Sequence, residues 1–241
     1  MRVPGSRGWI SVAVLVASTA VGLADGPKAV AKATGGKSVV QTKESQAAMT
    51  PAKAIEALKG GNARFRAGTS VQKNLPAKVK ASAAGQYPFA VVLGCMDSRV
   101  PAETVFDQSI GDLFNIRVAG YVVNTDNLGS LEYAAKVIGV KLIVVLGHTS
   151  CGAVKGAIDN VKLGNLTELL ARIQPAVAAS GPGTSKDHAY VDKVGEQTVR
   201  LSMKEIREKS PVIKEMLDSG ALGMVGAMYD LETGAVTFLA D

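Results

Sequence analysis

Residues 88–100, PFAVVLGCMDSRV, and residues 140–154, VKLIVVLGHTSCGAV, have one form. Each is a short apolar run, β-branched in its middle, that passes through a glycine to a cysteine or histidine. Residues 112–120, DLFNIRVAG, make a third apolar run. Before the 140–148 run, Leu128, Leu131, Ala134, Ala135 and Ile138 recur at helical spacing. Continuous apolar strands that alternate with helices predict an α/β fold, with a mostly parallel sheet of about four to five strands covered on both faces. Ligands of such sheets gather beyond the carboxyl ends of the strands. Cys95 and His148 stand at those ends.

Outward from this centre, Thr50-Pro51 reads as an N-cap followed by proline at the first helical position. Ile55, Leu58 and Phe65 extend it into an N-terminal helical arm. Helices are predicted over 165–179, 187–209 and 211–217, with the breaker SGPGTS between the first two. The chain closes as two strands joined by a turn at 232–234.

The 241 residues suit one domain with an extension. Residues 1–24 have the pattern of a secretory signal peptide. Arg2 and Arg7 precede an apolar stretch from Trp9 to Leu23, and the small residues Gly22 and Ala24 precede a cut before Asp25. The apolar stretch is short of the roughly 20 residues of a spanning helix, so no stable membrane span is expected after processing. Export and a periplasmic location follow as expectations. Residues 25–48 read as a flexible linker, and residues 49–241 as the folded domain that carries the strand-end residues. Loss of the signal lowers the formal charge from +6 to +4. The lysines are spread thinly and no basic stripe carries aromatics, which argues against a nucleic-acid partner. GHTSCGAVK lacks the Lys-Ser or Lys-Thr of a phosphate loop, which argues against a nucleotide.

The chain has two cysteines and two histidines, and three of the four lie at the two strand ends. If the two strands are neighbours, Cys95, His148 and Cys151 converge as a Cys₂His set with a fourth tetrahedral position available, the arrangement of a catalytic zinc. A disulfide is the alternative that an exported cysteine pair invites, and it leaves His148, Asp97 and Arg99 without a role. A cysteine nucleophile, Cys151 activated by His148, is another. Asp97, two residues after Cys95, can approach the metal or its water. Arg99 can clamp Asp97 by a planar two-point contact. A structural zinc has no need of that pair, whereas a generator of hydroxide does.

At these residues the sequence resembles the β-class carbonic anhydrases. The matching stretches are GNARF (61–65), residues 85–120, GSLEYA (129–134), GHTSCGAV (147–154) and GAMYDLETGAVTFL (226–239). The resemblance implies reversible hydration of carbon dioxide to bicarbonate and a proton by hydroxide on zinc. One Zn²⁺ per subunit would be held by Cys95, His148 and Cys151. Asp97 and Arg99 would be the catalytic pair, with Asp97 a fourth ligand in a closed state. It implies a homodimer or homotetramer whose substrate cleft is lined by Gln86, Phe114 and Tyr133, with Gly120 at the turn after the strand, and a helical arm that crosses onto the partner. Relatives that hydrolyse carbon disulfide or carbonyl sulfide share the ligands, and a non-catalytic periplasmic zinc- or bicarbonate-binding module is a further alternative. Two departures stand out. Val118 and Tyr121 replace the asparagines found in many members. Val92 replaces the tryptophan of members with a regulatory bicarbonate site, although Arg117 fits another of that site's positions. His188 reads as an ordinary surface or capping histidine.

Overall fold

The computed structural model describes residues 40–240. The signal peptide expected over 1–24 and most of the linker lie outside them. In chain order the elements are α1 (Lys43–Ala47), α2 (Pro51–Arg66), α3 (Leu75–Ser82), β1 (Ala90–Gly94), α4 (Ala102–Val105), β2 (Leu113–Arg117) and α5 (Thr125–Glu132), which widens into a π-turn over Tyr133–Ile138. There follow β3 (Leu142–His148), α6 (Gly152–Ile158), α7 (Leu166–Ala171), α8 (Gln174–Ala179), α9 (His188–Lys209), α10 (Pro211–Asp218), β4 (Gly223–Tyr229) and β5 (Val236–Phe238).

The sheet runs β2-β1-β3-β4-β5. Its first four strands are parallel, and β5 returns antiparallel to β4. Alternate residues feed two cores, because successive side chains of a strand point to opposite faces. Val91, Leu93, Ile143 and Val145 face the layer of α5 to α10. Ala90, Val92, Leu142, Val144 and Leu146 face α2 and α4. Both faces are therefore dry, which is why β1 and β3 read as unbroken apolar runs.

Helix α9 is the long packing element of the first layer. Val191, Val194, Val199 and Ile206 recur along its buried face. It lies close on the sheet, and two glycines permit that approach. A Cβ on Gly147 or on Gly226 would stand 2.7 Å from a methyl of Val199.

Two readings change in detail. The helix expected over 165–179 is two, because Pro175 has no N–H to give, and the chain tightens through Arg172 N to Leu169 O and Ile173 N to Leu170 O. Residues 43–47, at the end of the stretch read as linker, form a capped turn whose Gln46 donates to Pro88 O at 2.7 Å. The helical arm lies on this chain's own sheet, with Ala54 and Leu58 of α2 fully buried against it.

Asn62 ties that arm down. Its buried amide donates to Val105 O (3.0 Å) and Gly234 O (2.9 Å), and its Oδ1 accepts from Val236 N (3.0 Å). One side chain thus joins α2 to α4 and to β5. Asn62→Leu strands these groups and is expected to lower the unfolding free energy by about 2–4 kcal/mol. Urea unfolding at fixed protein concentration measures this, and an unchanged midpoint would remove Asn62 from that role.

Candidate metal centre

Strands β1 and β3 are direct neighbours, with Gly94 opposite Leu146. The side chains just past their carboxyl ends therefore meet. Cys95 (5% exposed), His148 (1%) and Cys151 (1%) bring one ligand atom each to within 4.8 Å of one another. Cys151 is the N-cap of α6, and the N–H groups of Ala153 and Val154 face its sulfur. Gly120, at φ +69° after β2, turns its N–H toward Cys95. A Cβ there would stand 2.6 Å from Ile173 Cδ1.

The two sulfurs are free thiols 4.0 Å apart. The hydrogen bond shared with Cys151 pulls the Cys95 thiol down, against burial and with help from His148 and the Gly120 and Asp97 N–H groups. The same hydrogen bond, and then burial, pushes Cys151 up. His148 Nδ1 donates to Thr149 O at 2.9 Å, which leaves its Nε2 as the atom facing the thiols. That Nε2 is buried and has no hydrogen-bond partner. An orphaned imidazole nitrogen beside two thiols is costly as it stands and suited to a metal. Two sulfurs and one nitrogen are the donor set of zinc, with a fourth position left for water.

Asp97 borders this cluster. Its Oδ2 lies 4.0 Å from His148 Nε2. Arg99 takes the carboxylate in three hydrogen bonds, from its backbone N and Nε to Oδ1 (both 2.9 Å) and from Nη2 to Oδ2 (2.7 Å). These contacts hold the carboxyl well below the usual carboxylate range, the Arg99 side chain first among the causes. Here the carboxylate rests on Arg99. Arg117 supports the same loop from beneath, donating from Nε to Cys95 O and from Nη2 to Asp97 O. In the sequence Arg117 fits only a position of a regulatory site. Its alignment with Gly94 in the β1–β2 register was the missing signal.

Of the residues expected to line a cleft, Phe114 and Tyr133 do share a cavity of about 590 Å³ beside β2 and α5. Tyr133 is 50% exposed. Gln86 stands apart on an exposed loop before β1, and Gly120 is buried behind Cys95. A second cavity, of about 330 Å³, lies against Arg99 and is lined also by Ser150, His188, Asp192, Asp230 and Glu232. Tyr121 is fully buried. Its ring meets the His148 ring edge-on at 6.5 Å and its hydroxyl donates to Gly195 O at 3.0 Å.

Residues 90–236 match the sequence profile of the carbonic anhydrase family. Carbonic anhydrase 2 of Mycobacterium tuberculosis is 40% identical over 190 residues, which cover 76% of this chain and 90% of that protein. The carbonic anhydrase of Mycolicibacterium smegmatis is 40% identical over 192 residues, 77% of this chain and 92% of the relative. Among solved structures, the β-carbonic anhydrase CafA of Aspergillus fumigatus superposes with a TM-score of 0.62 at 27% identity, covering 79% of this chain and 91% of that one. A tetrameric β-carbonic anhydrase of Sordaria macrospora gives 0.62 at 25% identity, over 79% and 98%.

A donor set of this kind is expected to take up one zinc ion per chain. Cys95→Ala and His148→Ala are each expected to weaken zinc binding by more than about 100-fold, beyond the loss usual for an outer partner. Metal analysis after dialysis against a competing chelator measures this. A variant that keeps stoichiometric zinc would strike its residue from the ligand set.

Proposed function

The chain belongs to the carbonic anhydrase family, in its β class, and from that membership we propose that it interconverts carbon dioxide and bicarbonate, with zinc held by Cys95, His148 and Cys151. The observation that carries the reading is the buried, unpartnered His148 Nε2 between two free thiols and a carboxylate that Arg99 holds at the rim. A zinc ion held there would supply the Lewis acidity that brings the pKa of water toward neutrality. Asp97 accepts a hydrogen bond from the attacking water and so aims its lone pair at the carbon of carbon dioxide. Arg99 keeps that carboxylate ionised and fixes its direction, as a planar fork does and an ammonium does not. Water adds to carbon dioxide, bicarbonate leaves, and one proton passes to buffer.

Stopped-flow hydration of carbon dioxide by zinc-quantified protein tests the activity. Asp97→Asn is expected to keep its zinc and lose about 100-fold in kcat/KM, the scale of a positioned proton acceptor. Full hydration rates in the zinc-loaded variant would refute the role of Asp97. Zinc-loaded wild type without turnover would refute the activity itself.

We also propose export to the periplasm, with cleavage before Asp25, on the pattern of residues 1–24. Among the described residues no helix is long and apolar enough to cross a membrane. A homodimer or homotetramer is the proposed assembly, supported by the tetrameric Sordaria structures and by the half-exposed Tyr133 at the cavity beside the edge strand β2. N-terminal sequencing of the mature protein and light scattering after gel filtration test these two points.

A further inference from the structure

Two residues, Thr149 and Ser150, separate the ligands His148 and Cys151, and both are held from outside their own turn. Thr149 N donates to Tyr229 O at 2.9 Å, and Thr149 Oγ1 accepts from Leu231 N at 3.0 Å, so the end of β4 grips the first. Ser150 has φ +54°, the left-handed region that a residue with a Cβ enters at a cost. Such a conformation persists only where its surroundings impose it. Here they come from α9. Asp192 Oδ1 accepts the Ser150 N–H at 2.8 Å, and His188 Nδ1 lies 3.3 Å from Ser150 Oγ. His188 and Asp192 are four residues apart and so lie on one helix face.

Helix α9 is anchored in this position at several points. Its close seat on Gly147 and Gly226 is one anchor. Tyr190 Oη donates to Gly181 O at 2.6 Å, Lys193 Nζ to Ser180 O at 2.9 Å, and Gly195 O accepts from Tyr121 Oη. The Asp192 carboxylate is thus a fixed acceptor presented to a strained N–H between two ligands. If Ser150 relaxed to negative φ, the direction of the following Cys151 side chain would change with it, and its sulfur would leave the cluster.

We propose that Asp192 is a positioning residue of the metal centre, which holds the left-handed Ser150 turn and so keeps His148 and Cys151 on one ion. The proposal rests on the zinc reading above. It assigns Asp192 an effect on zinc retention through backbone geometry, with no contact to substrate.

Zinc release from the loaded full-length protein into an excess of a chromogenic chelator tests it. Asp192→Ala is expected to release zinc about 10- to 100-fold faster, the usual effect of losing an outer partner of a ligand. Asp192→Asn keeps an Oδ1 acceptor and is expected to release at close to the wild-type rate. Glycine enters the left-handed region freely, so Ser150→Gly combined with Asp192→Ala is expected to return toward wild type. The visible spectrum of the cobalt-substituted proteins should follow the same order: changed in Asp192→Ala and restored in the double variant. Wild-type release by Asp192→Ala overturns the proposal. So does a double variant that folds yet releases as fast as Asp192→Ala. If Asp192→Ala does not fold, a folded double variant with slow release supports the proposal, and failure of both to fold makes Asp192 a folding residue and overturns it. Wild-type protein that takes up no zinc refutes the zinc reading instead.

Discussion

The parallel pairing of β1 with β3, Leu93 opposite Val145 and Gly94 opposite Leu146, brings Cys95 and His148 to one point. A slip of one residue would send every side chain of one strand to the opposite face. The register is protected by what it buries. Val91 and Leu93 of β1 share a layer with Ile143 and Val145 of β3, and the intervening residues share the other. Neither layer tolerates the exchange without exposing or overfilling a core. The Cys95–His148–Cys151 cluster therefore inherits its alignment from the packing of the two strands.

A division of labour follows at the loop after β1. Arg117 reaches up from β2 and holds the carbonyls of Cys95 and Asp97, so it governs the backbone. Arg99 holds the carboxylate, so it governs the side chain. The two guanidiniums act on one short segment without competing for the same acceptor. Lysine could supply the charge at either position but not the paired, planar contacts.

Much of this was legible in the order of residues. Strands dry on both faces leave unbroken apolar runs, and three ligand-type side chains at two strand ends leave a spacing. The parts that stayed hidden depend on contacts between distant segments. Arg117 is 22 residues from Cys95 and looks like an ordinary edge charge until the β1–β2 register is known. Asp192 is 42 residues from Ser150, inside a helix that reads as packing alone. The break between α7 and α8 was written in Pro175, but a proline near a helix start and one that splits a helix look alike in one dimension. The direction of the Asp97 carboxylate is a choice of rotamer, for which local sequence has no code.

The two histidines of this chain stand on opposite sides of one turn. The ring of His148 faces inward to the thiols, and that of His188 faces the far side of Ser150. With no third imidazole to crowd the spectrum, the ring nitrogens form a two-channel reporter built into the molecule. One channel reads the state of the Cys95–Cys151 thiol pair, and the other reads the helix that braces the turn.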